Sequence, residues 1–125
     1  MNISIEKAKA FLEEKERKKK EMLDVLYDRA IRDFDAIKEM IIDRYHPRRI
    51  YQWGSLLDRS MFRDYSDIDI AVEGVDEPAR FFKMYGEAEK LTDFPLDLLD
   101  INLIEPEFSD IIKQKGVQVY ECEDQ

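Results

Sequence analysis

Gly54-Ser55-Leu56-Leu57-Asp58-Arg59-Ser60-Met61-Phe62-Arg63-Asp64-Tyr65-Ser66-Asp67-Ile68-Asp69-Ile70-Ala71-Val72 is the stretch on which the reading of this chain turns. It runs from a Gly-Ser turn, set after one apolar segment, into an Asp-x-Asp that opens the next. Side chains in a strand alternate faces, so Asp67 and Asp69 leave one side while Ile68, Ile70 and Val72 leave the other. Two ionised acids spaced in this way, ~6–7 Å apart, repel by ~2–3 kcal/mol at an effective dielectric of about 20. A fold gains nothing from that repulsion. A divalent cation removes it, and paired carboxylates with open coordination positions suit magnesium when a substrate phosphate completes its shell.

The Gly-Ser pair supplies the other half of a phosphate and metal site. Glycine admits backbone close to a phosphate, and Ser55 is placed to cap a short helix over Leu56 to Met61 while offering its hydroxyl to the same anion. Alone, an Asp-x-Asp is an ordinary solvated strand end and a Gly-Ser an ordinary turn. Their order and closeness argue for more, and so does a third acid, Asp97, in the strand-like run Pro95-Leu96-Asp97-Leu98-Leu99-Asp100-Ile101. Asp97 and Asp100 are an odd number of residues apart, so an extended chain points only one of them at the pair.

Gly54-Ser55, then Ser66-Asp67-Ile68-Asp69-Ile70-Ala71-Val72, then Leu96-Asp97-Leu98-Leu99 resembles the minimal nucleotidyltransferase domain of the polymerase-beta-like superfamily, over about Ile50 to Tyr120. The resemblance implies that Asp67 and Asp69 bind metal, that Asp97 rather than Asp100 is the third carboxylate, and that Gly54 and Ser55, with Ser66 in the motif, hold the nucleotide. It implies two magnesium ions, ATP as substrate and transfer of AMP to a hydroxyl. Stand-alone domains of this kind are commonly antitoxins paired with a helical HEPN-type RNase toxin, some of which silence the toxin by AMPylation. The chain departs from the pattern in two places. Ser55 and Asp67 are separated by one residue more than is usual, and Leu56-Leu57-Asp58-Arg59-Ser60 replaces an Ala-Arg-Gly-like run. Arg59 or Arg63 then stands as the phosphate-facing arginine.

The chain of 125 residues suffices for a single domain, with a long N-terminal helix or helices over 1–46 and a catalytic α/β core over 47–125. Its net charge of −9 argues against general nucleic-acid binding, which needs clustered cations. Arg17-Lys18-Lys19-Lys20 sits among Glu13, Glu14, Glu16 and Glu21 and reads as a solvated, ion-paired helix face. One cysteine, Cys122, and the lack of a signal-like or membrane-spanning stretch make the cytoplasm the expected compartment.

From Ser4 to Tyr45 the chain has neither Gly nor Pro, and apolar residues from Leu23 to Tyr45 recur at helical spacing. The early part carries only a thin stripe of Ile5, Ala8 and Leu12. That part projects to dock on a partner, pairs with a second copy, or folds back. His46-Pro47 ends the helix, which makes the only histidine a boundary residue. Arg49 to Trp53 reads as a strand, with Trp53 in the core or stacked on a base. Pro78 opens a helix with Ala79, Phe82, Tyr85, Ala88 and Leu91 inward, against Ile68, Ile70 and Val72. Pro106 opens another with Phe108, Ile111 and Ile112 inward; Gly116 ends it and Val117 to Tyr120 close the sheet.

The expected fold is thus α/β of the nucleotidyltransferase type, a small mixed sheet of about four strands with helices on one face and the acids exposed on the other. Two other classes of function fit the same residues. One is a non-catalytic module that binds nucleotide or partner and neutralises by contact, and the other is an aminoglycoside-like small-molecule nucleotidyltransferase.

Overall fold

Ser4 caps the first helix, its hydroxyl accepting the Lys7 N–H at 3.1 Å. The computed structural model describes residues 4–123. Helix α1, Ile5–Tyr45, follows and closes at His46, which takes left-handed dihedrals (φ 49°) immediately before Pro47. The boundary role of the histidine is as expected. Strand β1, Arg49–Trp53, leads through the Gly-Ser turn to β2, Ile68–Glu73; then come α2, Pro78–Glu89, β3, Leu96–Asp100, α3, Pro106–Lys115, and β4, Val117–Glu121.

The four strands form one mixed sheet in the order β3-β2-β1-β4. β1 pairs antiparallel with both β2 and β4, whereas β2 and β3 run parallel, as a crossover through α2 requires. On one face Ile50, Ile68, Ile70, Val72 and Leu98 meet Phe34, Ile37 and Ile41 of α1 and Met84 and Ala88 of α2 in a single buried cluster. Each fully buried aliphatic side chain there contributes ~1.5–3 kcal/mol. This is the expected nucleotidyltransferase-type sheet with a long N-terminal helix, and the two longer helices share a face. α3 lies across the other face, where Ile112 packs with Tyr51, Ala71 and Ile101. The opposite side is therefore helix-covered at one end and acid-bearing at the other.

Three local expectations change. The inward side of α2 is shifted: Ala79, Phe82 (81%) and Leu91 are exposed, while Phe81 and Met84 join the expected Tyr85 and Ala88 facing inward. The Tyr85 hydroxyl donates to the Leu96 carbonyl at 2.6 Å and fixes that orientation. In α3, Ile112 and Ser109 are buried while Ile111 is half exposed, because the helix lies over β1 and leaves that position at its edge. Gly116 does end α3, with extended rather than left-handed backbone (φ −79°, ψ 179°). A Cβ there would stand 2.8 Å from the Gln52 carbonyl, so glycine is needed for close approach.

Candidate active site

Sheet register builds the site. β2 and β3 set Asp69 beside Asp97, and β1 and β2 set Trp53 opposite Asp69, so these three lie in one row across the sheet. Asp67 immediately precedes β2, two residues from Asp69 and on the same side. Asp69 is buried, Asp97 half-buried and Asp67 exposed. Register sets Asp97, not Asp100, beside Asp69: Asp100 pairs with Val72 at the strand end, and its carboxylate accepts the Asn102 N–H at 3.0 Å. Asp100 ends the strand and is buried.

The electrostatics are those of uncompensated acids. Burial, and then the charges of Asp97 and Asp67, push the Asp69 carboxyl up to about 7. Burial and the charge of Asp67 likewise raise that of Asp97. None of the three has a Lys or Arg ion-pair partner among the described residues. A buried carboxylate without a cation is costly, so this concentration of negative charge lacks the partner that would stabilise it.

Gly54 closes the site from the side. Its φ of +83° is a left-handed value that disfavours a side chain, and a Cβ built there would come within 2.0 Å of Asp69 Oδ2. The backbone at the Gly-Ser turn thus lies directly against the central carboxylate. The expected short helix is instead two 3-10 turns, Ser55–Leu57 and Arg59–Met61. Asp58 divides them, in extended conformation, with its carboxylate accepting the Ser60 N–H at 3.0 Å and hydroxyl at 2.8 Å. Gly54, not Ser55, stands at the cap position of the first turn.

The remaining candidates have different surroundings. Ser66 is buried, its hydroxyl accepting the Arg63 N–H at 2.8 Å, which shapes the turn delivering Asp67. Arg59 donates to Asp24 at 3.0 Å and Asp28 at 2.8 Å and stacks over the Tyr27 ring at 4.3 Å. Its guanidinium is engaged by α1 instead of joining the aspartates. Arg63 donates to the Ser60 and Phe62 carbonyls. Trp53 meets Phe108 of α3 edge-on at 5.6 Å, a packing role, although its buried indole Nε1 has no hydrogen-bond partner among the described residues. The clamp on Arg59 was not foreseen from sequence. Its signal was an acid pair at i and i+4 flanking a tyrosine, Asp24, Tyr27 and Asp28, on a helix whose contacts are remote in the chain.

The donor set fits a hard divalent cation in kind, since it is anionic and all-oxygen. Among the described residues no three His, Cys, Asp or Glu side chains are gathered closely enough to hold an ion unaided. Magnesium commonly takes only one or two carboxylates and completes its octahedron with water and substrate phosphate. No described helix is long and apolar enough to cross a membrane.

Comparison with known proteins bears on this arrangement. A chain of a toxin-antitoxin crystal structure with AMP-PNP superposes with a TM-score of 0.60 at 22% identity, covering 72% of this chain and 74% of its own length. A toxin-antitoxin MntA-HpeT structure carrying an aspartate-to-glutamate double mutation gives 0.58 at 20% identity, over 72% and 74%. A tyrosine-to-alanine mutant of MntA-HpeT gives 0.57 at 23% identity, over 71% and 72%. At these identities the likeness speaks for the fold. No curated protein matches. The sequence pattern of the family described as "Polymerase beta, Nucleotidyltransferase" matches residues 35–125, from the buried half of α1 through the last strand, and so takes in the turn, the acid pair and the third acid together. The chain belongs to that polymerase beta nucleotidyltransferase family.

Proposed function

We propose that this chain is a metal-dependent nucleotidyltransferase that moves AMP from ATP to a hydroxyl on a partner protein, and that it acts as the antitoxin of a HEPN/MNT pair. The observation that carries the reading is the Gly54 backbone lying against the Asp69 carboxylate, which stands in a row with Asp97 and whose charge Asp97 and Asp67 repel. Family membership supports transfer of a nucleotidyl group, and the toxin-antitoxin neighbours support the kind of partner.

In this reading Asp67 and Asp69 hold magnesium, with Asp97 the third carboxylate for a second ion. The bound metal supplies charge neutralisation for the triphosphate and for departing pyrophosphate. The Gly54-Ser55 backbone and the Ser55 hydroxyl orient the phosphates. Beside Asp97 the acceptor hydroxyl would give its proton to solvent water as its oxygen bonds to the α-phosphorus and the bond to pyrophosphate breaks. Ser66 sets the position of Asp67 through the Arg63 turn.

The test is labelling of the partner by the purified chain with Mg-ATP, beside the Asp69→Asn variant. Loss of label with an unchanged circular dichroism spectrum is expected. Undiminished labelling would remove the assignment of the site. A second reading, neutralisation by contact alone, is favoured by one observation: among the described residues no three acidic side chains are gathered to enclose an ion. Under that reading Asp69→Asn still neutralises the partner.

A further inference from the structure

Residues 4–22 are exposed throughout, so α1 leaves the body of the domain for ~27 Å at 1.5 Å per residue before Leu23 first packs on the core. A helical stretch of this length without tertiary contacts is marginal in water. Where it departs, it forms one wall of a cleft of about 960 Å³, and the turn Arg63-Asp64-Tyr65 forms the other. Leu12, Lys15, Lys19 and Met22 recur at helical spacing along the wall that faces this turn.

The charge of the cleft runs against that of the chain. Lys15, Lys18, Lys19 and Arg63 line it, against only Glu16 and Asp64, in a chain whose net charge is −9. Among the described residues only Lys18 of these cations reaches a nearby acid, Glu14 at 4.0 Å. Glu14 and Glu21 are taken by Arg17, and neither Lys15 nor Lys19 has an ion-pair partner among the described residues. Between the cations lie Leu12, Met22 and Tyr65, all more than half exposed. The helix face is ion-paired as expected around Arg17 and Lys18, and Lys15 and Lys19 stand outside those pairs.

The cleft also adjoins the acids. Tyr65 is two residues from Asp67, ~7 Å at most along extended chain. The Ser66 N–H donates to the Arg63 carbonyl at 3.0 Å, and the Ser66 hydroxyl accepts from Arg63, so the cleft wall and the residue before Asp67 form one hydrogen-bonded unit.

We infer that the cleft between the projecting part of α1 and the Arg63–Tyr65 turn docks an acidic amphipathic segment of the partner protein, and so brings its hydroxyl to the aspartates. The inference rests on the transfer reading above and names the class of acceptor. Mixed apolar and cationic lining matches a helix with an apolar stripe flanked by Glu or Asp. A polynucleotide would meet apolar side chains in the cleft and the repulsion of the whole chain.

The experiment uses the full chain and two fluorescein-labelled amphipathic peptides of equal length. One carries glutamates and a serine beside a leucine stripe; the other has lysines for the glutamates. The acidic peptide is expected to bind at least about tenfold tighter than the lysine peptide, and the Lys15→Glu/Lys19→Glu double variant to lose about tenfold for it. Both substitutions are at exposed helix positions, and circular dichroism checks that the helix persists. Equal binding of the two peptides, or undiminished binding by the double variant, overturns the inference. Tighter charge-dependent binding of poly(U) overturns it in favour of nucleic acid, and a dimer that the double variant dissolves does so in favour of a second copy. Asp69→Asn separates the two claims, because it leaves docking intact. Docking without label transfer by the wild type sinks the transfer reading only, whereas label transfer indifferent to Lys15 and Lys19 sinks the docking only.

Discussion

The two faces of β2 have opposite characters although their residues alternate along six positions. Ile68, Ile70 and Val72 are at most 1% exposed and are covered by α1 and α2, so this face is a source of stability. On the other face Asp69 is nearly as buried, beside Asp97 and under the Gly54 backbone, with charges that repel. A strand can carry such a face only because its back is so well packed. Stability on one side is what holds destabilising acids in register on the other.

The largest effect should come from removing that support. Ile70→Ala deletes a fully buried side chain from the centre of the sheet and is expected to cost ~2–4 kcal/mol, read as a lowered denaturant midpoint at unchanged slope. If the cost were well below ~1 kcal/mol, the packed face would not be the anchor of the sheet. Next comes the acid side. Gly54→Ala puts a methyl against Asp69 Oδ2 and forces a left-handed φ on alanine. It should destabilise by ~1–3 kcal/mol and reduce nucleotidyl transfer more than tenfold, because relief requires the carboxylate to move. A neutral result on both would separate the turn from the site.

A smaller effect has a definite sign. Asp69 holds its proton in the fold up to about pH 7, well above the ordinary value of 3.8, and burial raises Asp97 in the same direction. Between those values the folded chain binds more protons than the unfolded one, so the metal-free protein loses stability as pH rises from 5 to about 7 and levels off beyond. Carboxylates held below their ordinary range, such as Glu87 through Tyr45 and Arg44, titrate beneath this window and do not mask it. The melting temperature in EDTA should fall by several degrees from pH 5 to pH 8. Asp69→Asn should flatten the curve, matching wild type near pH 5 and exceeding it at pH 8. A wild-type curve that rises over this interval would contradict the picture of uncompensated acids.

What sequence could show follows from the range over which each signal acts. Alternation in Ile68-Asp69-Ile70-Ala71-Val72 assigned the two faces of β2, and parity showed that only one of Asp97 and Asp100 faces the pair, because both depend only on strand geometry; the family resemblance picked Asp97. Pro78, Pro106 and Pro47 marked element boundaries for the same local reason. The rotation of α2 was not legible, since Phe81 and Phe82 are adjacent and equally apolar, and the deciding contact is made by Tyr85 on β3. Division of the expected short helix by Asp58 depended on a side-chain cap two residues long, below the resolution of periodicity. Gly54 was picked out for phosphate approach; its contact with Asp69 needed the sheet.

Arg59 offers the smallest effect and tests how far the acid face extends. Sequence placed it near phosphate, but it is held 31 to 35 residues away in the chain by Asp28 and Asp24, on the surface and over Tyr27. Exposed ion pairs are weak, even when two acids share one guanidinium, because solvent screens them and long side chains must be ordered. Arg59→Ala should therefore shift the melting temperature by only about a degree, and less at high salt. Its effect on transfer discriminates between two roles for the loop. If the clamp merely ties the 3-10 turns to α1, Arg59→Lys restores most of the loss, and KM for ATP stays within about twofold of wild type. A KM raised tenfold or more with kcat unchanged, not rescued by lysine, would mean that the guanidinium leaves Asp24 and Asp28 to grip the triphosphate. The acid face would then extend beyond the row of Asp97 and Asp69 to a side chain that α1 stores when nucleotide is absent.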